Sequence, residues 1–374
     1  MSELVLYRKY RPKTFDEIVG QEHVVTALVN SLKTGRMAHA YLFSGPRGIG
    51  KTTVARLLAK AMNCEGASRP CNACGFCAKF NEGRALDLIE IDAASTRGID
   101  DIRELREGVR FSPTEGKYKT YIIDEVHQLT KEAFNALLKT LEEPPSHAVF
   151  VLATTELDKV PATIISRTQR YDFRRPSVLQ IANRLAQIAK KEGVKLEDEA
   201  ARLIAFAAEG SLRDGESILG QIMAVEDKNI TREEVENVLG LPRRESAKKM
   251  FELIARKDAP SALSLVQEIH DSGYDLTYFS KLLMQYFRNA FFLKTDPALK
   301  KFIENELLPD EHEAIVAHLS NFSAEDLSRG VSVIFENMSH FRKSPIPQLP
   351  LELTVIELIS NREPKREADM GNMV

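Results

Sequence analysis

The sequence predicts an α/β fold: a parallel sheet carrying a metal module, followed by two helical domains. Three observations carry that expectation. Strand-like and helix-like segments alternate over residues 1–176, the pattern of a sheet whose parallel strands are joined by helices. A complete G-x-x-x-x-G-K-[ST] loop, Gly45 to Thr52 with Thr53 beyond it, sits between a strand-like and a helix-like run. After Arg175-Pro176 the strand signals largely vanish and helical periodicity takes over. With 374 residues the chain is long enough for two or three domains, each with its own core.

The first element is the apolar run Ala40–Ser44, read as a buried strand, and the apolar-periodic run Val54–Met62 is read as a helix. Between them, Gly45, Gly48 and Gly50 allow the backbone to wrap a nucleoside triphosphate closely, and the N–H groups through Thr53 face its phosphates. Lys51 is placed to reach the β- and γ-phosphates, and Thr52 to ligate Mg²⁺. Further strands are expected at Leu86–Asp92, Lys119–Asp124, Val149–Thr154 and Gln169–Phe173. The run Tyr121-Ile122-Ile123-Asp124-Glu125 ends in two carboxylates and is expected beside the loop. Asp124 would then hold Mg²⁺ through water, and Glu125 would polarise the attacking water. The next strand ends in Thr154-Thr155, where a hydroxyl can meet the γ-phosphate or that water.

Helix signals fill the remainder. Thr130 reads as the N-cap of a helix that runs to Glu143 and stops at Pro144-Pro145. Ser177 with Gln180 forms a capping box, and three more helices fit between Glu197 and Leu239. Leu241-Pro242 marks another boundary, beyond which long amphipathic helices such as Leu276–Leu293 and Ala324–Phe341 are expected. The domains are therefore drawn at 1–176, with the cysteine module 64–77 inserted, then 177–241 and 242–361. Residues 362–374, polar and balanced in charge, read as a tail or linker.

Composition excludes little beyond membranes. Charged residues make up 28% and apolar ones 43%, ordinary for globular protein. No apolar run approaches a membrane span, and the N-terminus lacks the apolar core of a signal peptide, so a cytoplasmic location is expected. The net charge of −3 gives no global sign of nucleic-acid binding, so any such contact must come from a local basic surface.

All 4 cysteines fall in one short stretch, Cys64-x6-Cys71-x2-Cys74-x2-Cys77. In a cytoplasmic chain disulfides are not expected, and four thiolates at this spacing suit a closed, structural tetrahedral Zn²⁺ site. Pro70 and Gly75 are taken as the turn formers. An iron–sulfur cluster uses the same ligands, but nothing else in the sequence suggests redox chemistry. Two arginines stay open on the residues alone. Arg167 follows a short helical stretch and reads as a solvated surface residue. Arg213 lies near the start of a helix, where its charge opposes the dipole. It needs either a compensating anion or nothing more than Asp214 beside it.

Taken together, these segments resemble the AAA+ clamp-loader ATPases. The resemblance rests on Tyr7-Arg8-Lys9-Tyr10-Arg11-Pro12, Val19-Gly20-Gln21-Glu22-His23, the phosphate loop and Ile91-Asp92-Ala93-Ala94-Ser95. It continues through Asp124-Glu125-Val126-His127, Leu137–Pro145 and Gly210–Asp214. The cysteine insert narrows it to the bacterial tau/gamma subunits of the DNA polymerase III clamp loader. It is dense over 4–241 and looser over 242–360.

The resemblance implies specific roles. Tyr7, Arg11 and the backbone at Val19 would pack against adenosine. Thr155 would be the first γ-phosphate sensor and Arg213, from a helical lid, the second. Arg167 would be an arginine finger acting on the neighbouring subunit's ATP, although Thr168 stands where the family usually has cysteine. Residues 242–361 would form the collar of a pentameric ring containing copies of this chain and delta- and delta-prime-type subunits. Such a ring would open a sliding clamp on primer–template DNA, held through backbone phosphates. Arg97, Arg103 and Lys139 are candidate DNA contacts, yet Asp100, Asp101, Glu104 and Glu107 fit a solvated helix equally well. The cofactors implied are ATP, Mg²⁺ and structural Zn²⁺. A non-hydrolysing scaffold subunit and a branched-DNA helicase are the alternatives; intact Lys51, Thr52, Asp124 and Glu125 argue against the first, and the cysteine insert lends no support to the second.

Overall fold

Five parallel strands define the first part of the chain: β1 (Ala40–Ser44), β2 (Leu88–Asp92), β3 (Lys119–Asp124), β4 (Ala148–Thr154) and β5 (Gln169–Asp172). They stand in the order β2-β3-β4-β1-β5. This computed structural model describes residues 5–225, 228–242, 244–296, 298–299, 303, 309–341 and 343–360, so the expected tail 362–374 lies outside the described residues.

The strand bearing Asp124 and Glu125 is separated from the loop strand by β4, which pairs with both β1 and β3. The reason is burial: β1 and β4 are buried along their whole length and take the centre, where both faces are covered. Register nevertheless aligns the carboxyl ends. Ser44 pairs with Thr154 and Asp172, and Asp92 with Asp124. In open parallel sheets the ligand crevice lies outside these ends.

Alternation along the strands splits the core into two layers. Tyr41, Phe43, Val149 and Val151 face the phosphate-loop helix residues Val54, Leu57 and Leu58, with Phe15 and Leu28 joining that side. Leu42, Tyr121, Ile123, Phe150 and Leu152 face Phe134 and Leu137 on the other side.

Element ends depart from the sequence reading for local reasons. The phosphate-loop helix runs Lys51–Met62, earlier than its apolar pattern, because Gly50 at φ 101° serves as the cap. β2 begins at Leu88 rather than Leu86, since Asp87 turns aside. Its carboxylate accepts backbone N–H groups of Thr114 (2.7 Å), Glu115 (2.8 Å) and Gly116 (2.6 Å). The helix Lys131–Glu142 is capped by Thr130, which accepts from Ala133 N at 3.2 Å.

After the sheet, the helix Val178–Glu192 opens on the Ser177–Gln180 capping box, and helices Asp198–Ala207, Leu212–Val225 and Arg232–Leu239 follow. A two-residue parallel pair, Lys195–Leu196 with Asn229–Ile230, is the strand structure that helical periodicity concealed.

The chain divides into two compact units, Met1–Arg232 and Glu233–Val374. In the second, the helix Leu276–Thr295 is capped by Asp275 on the backbone of Thr277 and Tyr278. It packs on Ala324–Met338, which starts at a Ser323–Asp326 capping box and ends before the expected Phe341. Phe251, Phe287 and Phe322 form an aromatic cluster at the centre of this unit. No described helix is long and apolar enough to cross a membrane.

Candidate nucleotide site and cysteine centre

A cleft of about 510 Å³ opens at the carboxyl ends of the strands. The phosphate loop from Gly48 to Thr53 lines it, with Asp124 and Glu125 from β3 and Asp92 from β2. The N-terminal arm contributes Tyr7, Arg11 and Val19, and the helical region after the sheet contributes Arg213. Residues spread over more than half the chain thus meet in one site.

The loop itself depends on glycine. Gly45, Gly48 and Gly50 have φ of 142°, 76° and 101°, in the left-handed region closed to most side chains. At Gly48 a Cβ would fall 1.9 Å from Ser211 Oγ, because the lid backbone sits directly on the loop. Arg213 N donates to the Gly48 carbonyl at 3.3 Å, a second tie between loop and lid. Lys51 is only 6% exposed and donates to the carbonyls of Gly45 and Pro46, each at 2.7 Å. Burial pushes its pKa down, while Glu125 and Asp124 pull it up. Thr52 Oγ1 donates to Asp124 Oδ2 at 2.7 Å, so both expected magnesium groups converge despite the strand between β1 and β3. A hydroxyl and a carboxylate oxygen side by side are the hard donors that Mg²⁺ prefers.

Glu125 sits at φ 47°, a strained position for a residue with a side chain. Its Oε2 accepts from Thr155 Oγ1 at 2.8 Å and Thr155 N at 3.2 Å. Thr155 therefore reaches the cleft through Glu125. Behind the pair lies His127, its side chain 3% exposed, its Nδ1 at 2.9 Å from Thr154 Oγ1 and 3.4 Å from Glu125 Oε2. Its Nε2 lies 3.2 Å from Glu156 Oε1. The sequence marks His127 only as part of a motif, three residues after Asp124.

On the lid side, the Arg213 guanidinium stacks over the Tyr7 ring at 4.7 Å, and its hydrogen bond lowers the Tyr7 hydroxyl pKa. The Arg213 charge near the helix start thus meets an aromatic face, that of Tyr7. Two lid residues of the cleft were missed altogether. Arg184 donates from Nε to Glu216 Oε1 at 3.3 Å and from Nη2 to the Tyr10 carbonyl at 2.5 Å. Burial pushes Glu216 up to about 7, with Arg184 pulling the other way. No local motif marks this pair, whose members stand on separate helices.

Arg167 lies outside the cleft lining. Its Nη2 pairs with Glu142 Oε1 at 2.7 Å, and its Nη1 donates to the Thr163 carbonyl at 2.9 Å. Of the candidate DNA contacts, Arg97 is held on the Ala94 carbonyl at 2.7 Å and Arg103 on Asp100 at 3.0 Å, while Lys139 is exposed.

The four cysteines do converge, their sulfur atoms all within 4.8 Å of one another. Backbone N–H groups of Ala73 and Cys74 point at Cys71 Sγ and lower its pKa to about 6, whereas burial pushes Cys77 up to about 12. Soft thiol donors in a closed set of four fit tetrahedral zinc. One glycine of the knuckle goes beyond the expected turn formers. A Cβ at Gly75 would meet open space, but one at Gly66 would lie 2.5 Å from Cys71 Cβ, so Gly66 is the glycine this knuckle requires.

A central parallel sheet, a phosphate loop, acidic residues at the end of β3 and a helical lid touching the loop define an AAA+-type nucleotide-binding protein. Family comparison is more specific. Residues 20–177 match a family described as DNA polymerase III, delta subunit, and 180–227 match the clamp-loader subunit ATPase lid domain. Residues 230–372 match DNA polymerase III subunits gamma and tau domain III. The chain is 38% identical over 360 residues to DNA polymerase III subunit tau of Bacillus subtilis, covering 96% of this chain and 63% of that protein. It is 46% identical over 277 residues to subunit tau of Escherichia coli, covering 74% of this chain and 43% of that protein. Against subunit gamma of Buchnera aphidicola identity is 35% over 364 residues, covering 96% of this chain and 99% of that protein. The chain belongs to the tau/gamma family of DNA polymerase III clamp-loader subunits. It spans between about two fifths and two thirds of the two tau relatives' own length.

Proposed function

We propose that this chain is the ATP-hydrolysing motor subunit of a replicative clamp loader. One observation carries the reading: Lys51, Thr52, Asp124 and Glu125 meet at the end of the sheet with Arg213 of the lid above them. Lys51 would leave the carbonyls of Gly45 and Pro46 to meet the β- and γ-phosphates. Thr52 and Asp124 would hold Mg²⁺, which supplies neutralising charge on the phosphate oxygens when bound. Glu125 would turn from Thr155 towards the attacking water and take up its proton. Thr155, released by that turn, would sense the γ-phosphate. Tyr7, Arg11 and Val19 would flank adenosine, and Arg213 would report phosphate occupancy to the lid.

In an assembly, Arg167 of one subunit would reach the ATP of its neighbour and stabilise charge on the transferring phosphoryl group. The lid would extend to residue 241 and the collar over 242–361, holding a pentameric ring with delta- and delta-prime-type partners. ATP binding would order that ring to open a sliding clamp, and hydrolysis would release clamp and primer–template DNA in the cytoplasm. Arg97, Arg103 and Lys139 would face the DNA backbone. The cysteines would hold one structural Zn²⁺.

The direct test is Glu125→Gln. The variant should bind ATP normally and lose steady-state turnover, by about 10²-fold or more. Turnover equal to wild type would sink the catalytic reading and favour a scaffold subunit.

A further inference from the structure

Lys60 is a buried cation that the nucleotide chemistry does not use. It lies on the phosphate-loop helix eight residues after Thr52 and is 1% exposed. Its Nζ donates to Asn81 Oδ1 at 2.6 Å, to the Lys13 carbonyl at 3.3 Å and to Asn72 Oδ1, and it lies 5.8 Å from the Phe80 ring centroid. These are all neutral partners. A buried ammonium with neutral acceptors alone is costly and calls for an opposite charge nearby. The charges that do favour it belong to the cysteine centre: burial and the Lys13 charge push the ammonium's pKa down, while Cys77, Cys64 and Cys71 pull it back up. Zinc with four thiolates carries a net charge of about −2.

The same contacts reach the nucleotide cleft. Asn72, next to Cys71, donates from Nδ2 to the Lys13 carbonyl at 3.2 Å, the acceptor Lys60 also uses. Lys13 immediately follows Arg11 and Pro12, which line the cleft. The cysteine module therefore grips the arm that borders the cleft.

We propose that Lys60 is the counter-ion of the four-cysteine zinc centre and, with Asn72, couples metal occupancy to nucleotide affinity through the arm around Lys13. The inference rests on the zinc reading above. Coupling between two sites is reciprocal, so zinc should tighten nucleotide binding and nucleotide should tighten zinc binding.

The test uses the purified full chain, zinc competition against a chromophoric chelator, and binding of a non-hydrolysable ATP analogue with and without zinc. Lys60→Met and Lys60→Gln should each bind zinc about 10-fold more weakly, the size typical of lost outer-shell partners. Stripping zinc should weaken analogue binding several-fold in wild type. Asn72→Ala, which keeps all four cysteines and the Lys60 contact to Lys13, should retain zinc yet show a clearly smaller zinc effect on analogue binding, and it serves where Lys60 variants fail to fold; a full-sized zinc effect in Asn72→Ala overturns the role of Asn72. Wild-type zinc affinity in Lys60→Gln overturns the counter-ion role. Analogue affinity of wild type that ignores zinc overturns the coupling. A wild-type chain that takes up no zinc sinks the zinc reading itself, and the inference with it.

Discussion

Glu125 Oε2 accepts the Thr155 hydroxyl at 2.8 Å, so the expected general base and the expected γ-phosphate sensor occupy each other. Thr155→Val removes the hydroxyl that holds and aligns the carboxylate. Phosphate release should slow by about 10²-fold while affinity for an ATP analogue stays within twofold. Unchanged turnover would mean that the hydroxyl merely ends its strand.

Arg167 is paired with Glu142 on its own chain; Glu142 is exposed and Arg167 partly so. An exposed pair is worth at most about 1 kcal/mol, so Glu142→Ala should leave the melting temperature nearly unchanged. Arg167→Ala should bind nucleotide like wild type, yet hydrolysis in the assembled complex should fall about 10³-fold. Much weaker ATP binding by the isolated variant would place Arg167 in its own cleft and refute a role across the subunit boundary.

Gly48 is where loop and lid touch. Alanine there would strain the backbone at φ 76° and drive its Cβ into Ser211. Gly48→Ala should push the lid from the loop and weaken nucleotide binding at least about 10-fold, with loss of stability of a few kcal/mol. Equilibrium binding and a thermal melt both read it, and wild-type affinity would show the lid contact to be dispensable.

Glu216, raised to about 7 mainly by burial, makes stability depend on pH. Its folded pKa exceeds the unfolded value, so the folded state holds the proton more tightly. That contribution is complete below about 4.3 and is lost as pH rises through about 7. Glu216→Gln should flatten this part of the stability curve, seen as a smaller fall in melting temperature between pH 5 and 7.5. An unaltered slope would assign the dependence to another group.

Much of the site was legible because its chemistry is encoded in short spacings. The loop, the Asp124-Glu125 strand end, the cysteine cluster and the Ser177 and Thr130 caps each need only neighbours within a few residues. Arg184 with Glu216 was not legible, since two ordinary charged residues on separate helices carry no mark until packing buries them together. The position of β4 was hidden for a related reason. Apolar runs announce that β1 and β4 are buried, but pairing decides which other strand each one meets.

The sequence by itself determined the class of protein, the phosphate loop, the acidic strand end and the four-cysteine cluster, because local spacing dictates those chemistries. The tertiary structure decided the rest. It placed β4 between β1 and β3, set the lid on Gly48, laid Arg213 across Tyr7 and buried Lys60 between the cysteine module and Lys13. The reason is physical: burial turns residues distant in the chain into partners, and a charge becomes informative only once its surroundings have excluded water.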